Sequence, residues 1–237
     1  MRINVHAGHN PAGKIACGAV GFINESTENR RVVDEIISQL LQLGHTVYDC
    51  TVNDGVGQTD VLKKIVQKCK MHEVDLDVSI HFNSGANDKT GNGKTTGTEV
   101  YVYSASSKAY EYAEKICKAI SNIGFKNRGV KVNPNLYFLK HVTAPALLVE
   151  CCFVDDKDDV QLYNYQDMAS AIVYGITGQI VQKTENESDK VTTEESSTGD
   201  RKALYRVQVG AYSRKENAQA QADKLKKAGF DAVVVQA

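Results

Sequence analysis

The sequence predicts an α/β fold: a largely parallel, twisted sheet with helices on both faces, followed by a small C-terminal βαβ module. Three observations predict it. Strand-like and helix-like segments alternate through most of the chain. One of them, "ALLVECCF", is apolar or cysteine at seven of its eight positions, as a strand covered on both faces must be, and "LDVSIHF" reads as a second buried strand. The segments between carry apolar residues at helical spacing, which suits crossover helices over a parallel sheet.

Residues 2–6 are the first predicted strand. From Glu25 to Leu43, the positions Val32, Val33, Ile36, Ile37, Leu40 and Leu41 recur with helical period, and Gly44 ends the run. "HTVYDC" reads as a strand and "TDVLKKIVQKCK" as an amphipathic helix. The buried strand "LDVSIHF" leads into a Gly-rich loop from Asn83 to Gly97, whose place at a strand end suggests a mobile, substrate-facing element. "TEVYVYS" alternates as a strand, 107–123 is a helix, "NLYFLK" and "ALLVE" are strands, and 163–182 is a closing helix. Residues 184–203, "TENESDKVTTEESSTGDRK" with its neighbour, are too polar to order themselves and form a predicted linker. Residues 204–237 repeat the pattern in miniature: "YRVQVGAY", a helix over Lys215–Ala228, a stop at Gly229 and "DAVVVQ". So short a unit cannot close a core by itself, so the expectation is either a partner surface or a second chain, the latter giving a homodimer through this module.

Composition narrows the function classes. With 42% apolar and 24% charged residues, the 237-residue chain has the make-up of a globular protein. A formal net charge of -1 gives no electrostatic basis for binding nucleic acid or an anionic membrane. No apolar run approaches the roughly 20 residues of a bilayer span, so membrane insertion is not expected. The start, "MRINVHAGHN", is strand-like without a basic and then apolar leader, which predicts synthesis in the cytoplasm without a signal peptide. The six cysteines show no CxxC spacing and read as reduced core residues, Cys151 and Cys152 included.

Polar residues interrupt this pattern at telling places. Glu150 sits inside "ALLVECCF", where a carboxylate is costly unless it is paired, protonated or near a cation. Ligands of open parallel sheets bind beyond the carboxyl ends of the strands. His9 follows the first strand, His81 ends "LDVSI", Glu150 ends "ALLV", and Glu25 opens a helix after the loop 10–24. Two imidazoles, a carboxylate and a further carboxylate on one rim are what a catalytic zinc site needs.

The segments "HAGHN", "NESTENR", "SIHFNS", "NRGVK" and "PALLVECCFVDDKDD" carry a family likeness. In order and spacing they resemble the zinc-dependent N-acetylmuramoyl-L-alanine amidases of the amidase-3 type, most of all clostridial phage endolysins and autolysins. The resemblance spans about residues 1–180. It implies a zinc amidase catalytic domain over 1–183, with Zn²⁺ held by His9, Glu25 and His81. Glu150 would be the general base and then the proton donor to the leaving amine. The expected reaction is hydrolysis of the amide between N-acetylmuramic acid and L-alanine in peptidoglycan, leading to cell-wall lysis or remodelling. An apolar setting would raise the pKa of Glu150, in keeping with that role.

Several positions carry rival readings. His6 stands in "HAGH" where the family often has Asp, and is expected to bond a neighbour rather than to ligate. Glu28 competes with Glu25, since acidic residues favour a first helical turn without any metal. Asn83 either binds substrate or pins the loop. Arg128 has the fork that suits a stem-peptide carboxylate, against a solvated surface arginine. His45, His72 and His141 read as structural or exposed. The tail resembles the first half of a SPOR domain, which implies binding to the cell wall. Two other functions compete: a zinc exopeptidase acting on stem peptides, and a wall-binding protein without catalysis. On the amidase reading, the protein reaches the wall after holin-mediated release, lysis or non-classical export.

Overall fold

The computed structural model describes residues 1–181 together with the helical positions Gln219, Ala222 and Lys226. The chain divides into two compact units, Met1–Thr184 and Glu185–Ala237. The expected linker and the strands of the expected βαβ module lie outside the described residues.

The first unit runs β1 (Arg2–Ala7), α1 (Glu25–Gln42), β2 (Thr46–Asp49), α2 (Gln58–Lys70), β3 (Leu76–Asn83) and β4 (Thr98–Val102). It continues α3 (Tyr110–Asn122), β5 (Asn127–Val132), α4 (Tyr137–His141), β6 (Ala146–Phe153), α5 (Lys157–Leu162) and α6 (Tyr165–Thr177). The six strands form one sheet in the order β2-β1-β3-β6-β4-β5. All neighbours are parallel except β4 and β6, which are antiparallel. The predicted α/β class and mostly parallel sheet are therefore present.

Alternating strand residues feed two apolar layers. Val5, Val78, Ile80, Val100 and Val149 pack with Ile36 and Leu40 of α1, Ile116 of α3 and Ile172 of α6. On the other face, Leu148 joins Val61 and Ile65 of α2 and Phe138 and Leu139 of α4. Helix α1 forms where its period predicts, and the Asn24 side chain caps it by accepting the Thr27 N–H at 3.3 Å.

Two elements differ from the sequence reading. "NLYFLK" is not a strand: Tyr137–His141 form the short helix α4, which buries Phe138 and Leu139 against α2. The run of four apolar or aromatic residues, Leu136–Leu139, fits either period, and packing decided it. Strand β5 covers "NRGVKV", which offers no buried position and has Gly129 at φ +80°. A half-exposed edge strand of this kind lacks the apolar signature of the interior ones. The closing helix is shorter than 163–182 and is preceded by the separate turn of α5.

The reversal of β4 shapes the rim. Because β4 runs against β6, the loop from Asn83 to Gly97 leaves β3 and enters β4 on the same edge. To do so it passes over the carboxyl end of β6, which lies between them in the sheet.

Candidate metal centre and active site

His9 leaves β1 in a left-handed conformation, φ 65°, unusual for a residue with a side chain. Its ring meets the ring of His81 edge-on, with centroids 4.9 Å apart. Glu25, the first residue of α1, reaches between them. Its Oε1 lies 2.9 Å from His81 Nδ1 and 3.3 Å from His9 Nε2. Phe82 N–H donates to Oε1 and Ala19 N–H to Oε2, so a carboxylate only 3% exposed is held by four donors. Burial alone would push Glu25 up; the hydrogen bonds from His81 and His9 outweigh it and leave the carboxyl well below the usual range.

Glycines make room for this arrangement. A Cβ on Gly8 would overlap the His81 ring, and one on Gly18 would press on Glu25 Oε2 and His9. Only a residue without a side chain lets the backbone pass this close.

Glu150 faces His81 across the parallel β3–β6 ladder and Glu99 across the antiparallel β4–β6 ladder. Its Oε2 is buried without a protein partner. Burial first, then the charges of Glu25 and Glu99, raises its pKa to about 8. A carboxyl poised near neutrality on the strand next to His81 is suited to moving protons.

Glu99 was missed in the sequence, because its strand reads as simple alternation. It is 3% exposed and gathers both predicted substrate-binding residues. Asn83 Nδ2 donates to Oε1 at 2.8 Å, and Arg128 Nε to Oε2 at 2.9 Å. Asn83 Oδ1 also accepts the Ser84 N–H, which ties the start of the loop. The Arg128 guanidinium lies over the Phe153 ring at 5.0 Å.

The other candidates stand apart. Glu28 pairs with Arg31 at 3.0 Å and accepts from the Tyr163 hydroxyl, away from the histidines. His6 is buried, bonds the Ala7 carbonyl region at 3.3 Å and stacks edge-on with Phe138. Burial and the nearby His81 lower its pKa to about 3, so it is a neutral imidazole. His45 approaches the N-terminal amine, His72 stacks on Tyr48, and His141 bonds Tyr137. All six cysteines are free, and burial pushes the Cys151 and Cys152 thiols well up, which suits inert core residues.

The Gly-rich loop is tied down by the segment "DDKDD" after β6. Asp155 accepts the N–H groups of Gly85, Ala86 and Asn87. Asp158 accepts those of Asn92, Gly93 and Lys94, Asp156 that of Thr96, and Asp159 that of Gly97. Asp88, Asp156 and Asp158 also lie close enough to share a cation, and each already accepts hydrogen bonds within the loop, Asp88 from the Gly91 N–H.

The donor set of His9, Glu25 and His81 fits zinc. Their ligand atoms all lie within 4.8 Å of one another. Donors about 2.0–2.1 Å from a tetrahedral ion sit roughly 3.3 Å apart, so the three need little adjustment. Two imidazoles and one carboxylate leave the open position of a catalytic rather than a structural site.

An open α/β sheet with such a triad on its rim defines an α/β protein with a candidate mononuclear metal centre. Comparison with known proteins narrows this. The N-acetylmuramoyl-L-alanine amidase family profile matches residues 3–182, and that of the SPOR domain matches 179–236. The chain belongs to the N-acetylmuramoyl-L-alanine amidase family. It is 39% identical to an uncharacterized protein of Clostridium perfringens over 164 residues, 69% of this chain and 47% of that one. Among solved structures, the catalytic domain of the CD27L endolysin targeting Clostridia difficile is 26% identical, with a TM-score of 0.67 over 77% of this chain and 99% of that one. The amidase AmiC2 of Nostoc punctiforme is 25% identical, with a TM-score of 0.62 over 74% and 94%. The chain spans about half the length of curated relatives it matches, 47% and 61% for two Clostridium perfringens proteins.

Proposed function

We propose that the chain is a zinc-dependent N-acetylmuramoyl-L-alanine amidase that cleaves the bond between the lactyl group of N-acetylmuramic acid and L-alanine in peptidoglycan. The observation that carries this is the convergence of His9, Glu25 and His81 beside the unpartnered Glu150 Oε2. His9, Glu25 and His81 would hold the zinc, which when bound supplies Lewis acidity to the scissile carbonyl and to water. Glu150 takes the proton of the attacking water and delivers it to the L-alanine nitrogen as that bond breaks. In the metal-free chain burial raises its pKa, which suits a carboxyl that takes up a proton and passes it on.

Arg128 and Asn83 serve substrate binding in different ways on this reading. Arg128 bonds Glu99 through Nε, which leaves its terminal nitrogens to receive a stem-peptide carboxylate. Asn83 acts through Glu99, holding the carboxylate that aims Arg128. Arg128→Ala is expected to raise KM more than it lowers kcat, and to show no such effect on a substrate whose stem carboxylates are amidated.

The SPOR-profile match supports a wall-binding module after the catalytic unit, with the wall as the place of action; it spans 179–236, so the proposed linker 184–203 lies inside it. Pairing of two chains through the module, and release through a holin, lysis or another export route, belong to the same proposal. Among the described residues, no helix is long and apolar enough to cross a membrane. The test is a digest of purified cell walls by the zinc-loaded chain, with products identified by mass spectrometry. Free stem peptides beginning in L-alanine are expected from wild type and not from Glu150→Ala or His81→Ala. Cleavage within the stem peptide would move the reading to an exopeptidase, and no cleavage by wild type to a wall-binding protein.

A further inference from the structure

We infer that Arg30 is the positioning residue that holds His9 in its ligating conformation, an inference that rests on the zinc reading above. His9 has φ 65°, a region that a residue with a side chain keeps only where its surroundings impose it. Foremost among those surroundings is the Arg30 guanidinium, the donor to the His9 carbonyl itself. Arg30 Nη2 donates to the His9 carbonyl at 2.9 Å, and Nη1 reaches the Gly8 carbonyl at 3.5 Å. The same group donates to the Ser26 carbonyl at 2.9 Å, one residue from Glu25, and to Asn29 Oδ1 at 3.2 Å. It is fixed from the far side by the Val52 carbonyl at 3.0 Å and by Asn53 Oδ1, which accepts from both Nε and Nη2. Asn29 Nδ2 adds a second donor to the Gly8 carbonyl at 2.9 Å.

Arg30 therefore joins the three segments that meet behind the site: the turn after β1, the first turn of α1 and the segment after β2. Through two carbonyls it sets the peptide planes on either side of the His9 Cα, and through Ser26 it fixes the helix start that presents Glu25. The spacing of His9 to Glu25 is thereby set from outside the ligand set. No single ammonium can do this, because the job needs a planar fork that reaches several carbonyls in fixed directions.

The experiment uses the full chain as wild type, Arg30→Ala, Arg30→Lys and Asn53→Ala, stripped of metal by chelator. Zinc affinity is measured by competition with a chromophoric chelator, the Co²⁺-loaded absorption spectrum is recorded, and thermal unfolding is followed without metal. The expected result is a loss of zinc affinity of about 10–100-fold for Arg30→Ala, the scale of losing a ligand's orienting partner. Arg30→Lys is expected to lose affinity too and to show an altered Co²⁺ spectrum, while Asn53→Ala, which removes one acceptor fixing Arg30 but leaves its bond to the His9 carbonyl, is expected to lose affinity by less than Arg30→Ala. Wild-type zinc affinity and Co²⁺ spectrum in Arg30→Lys, with only the melting temperature lowered, would overturn the inference and leave Arg30 a structural residue. Absence of zinc binding by the wild-type chain would overturn the zinc reading itself, and this inference with it.

Discussion

His81 and Glu150 are register partners on the central strands β3 and β6, and their environments set them to different work. His81 is drawn to Glu25 at 2.9 Å, whereas Glu150 keeps an oxygen without a protein partner. A sheet thus places a proposed ligand and a proposed base side by side by pairing alone, with no loop needed to bring them together.

Glu150→Gln is expected to separate activity from stability. Loss of a general base lowers kcat by about 10²–10⁴-fold. The carboxyl of the metal-free chain has a pKa raised to about 8, so between its ordinary value and that pH the folded state holds a proton that the unfolded state releases. Glu150 therefore lowers stability progressively as pH rises through this window. Metal-free Glu150→Gln should melt above wild type at pH 8 and with a much smaller difference at pH 4. Equal melting of the two at pH 8 would contradict the burial of a charged carboxyl.

Gly8→Ala tests the close packing under His81. The added Cβ would overlap the imidazole, and backbone on both sides of Gly8 is held by hydrogen bonds, so the ring must move. Zinc affinity should fall by at least about 10-fold. Unchanged affinity measured by chelator competition would show that the ring has room to spare.

The loop 85–97 is expected to be ordered rather than freely moving. Asp158→Ala removes the acceptor of three successive N–H groups, at Asn92, Gly93 and Lys94. Hydrogen exchange at these amides should accelerate, and limited proteolysis should begin to cut the loop, while the sheet amides keep their protection. Exchange rates equal to wild type would mean that the aspartate bonds do not hold the loop in solution.

His6 predicts acid sensitivity with a definite sign. Buried and neutral, with a pKa lowered to about 3, it contributes stability that is complete above the unfolded value of about 6.5 and is lost as pH falls toward 3. The slope from this residue is at most about 1.4 kcal/mol per pH unit. Urea unfolding of the metal-free chain at pH 7, 5 and 4 should show a shallower decline for His6→Gln than for wild type. Parallel declines would place the acid sensitivity in other groups.

The rim was legible where a polar residue ends an apolar strand. Glu150 stands out because everything before it in β6 is apolar, His81 because it ends a strand that reads as buried, and Glu25 because a helix period begins at it. Glu99 was not legible for a directional reason. It opens β4 rather than ending it, and it reaches the rim only because β4 runs against its neighbour. Strand direction leaves no mark on side-chain periodicity, so its meeting with Asn83 and Arg128 was hidden as well. The loop called mobile on its glycines is held by aspartates some 60 residues away, a long-range pairing that local composition does not encode.

The place of β6 in the sheet bears on synthesis. This strand is the last of the six to leave the ribosome, yet it lies between β3 and β4, which are made much earlier. Until it inserts, β3 and β4 have no common neighbour, the loop between them has nothing to cross, and Glu150 does not exist. A nascent chain carrying His9, Glu25 and His81 still lacks Glu150 and the aspartate clasp until residues 146–159 emerge. On the proposed reading, the base therefore joins the three zinc-holding residues last, near completion of the first unit.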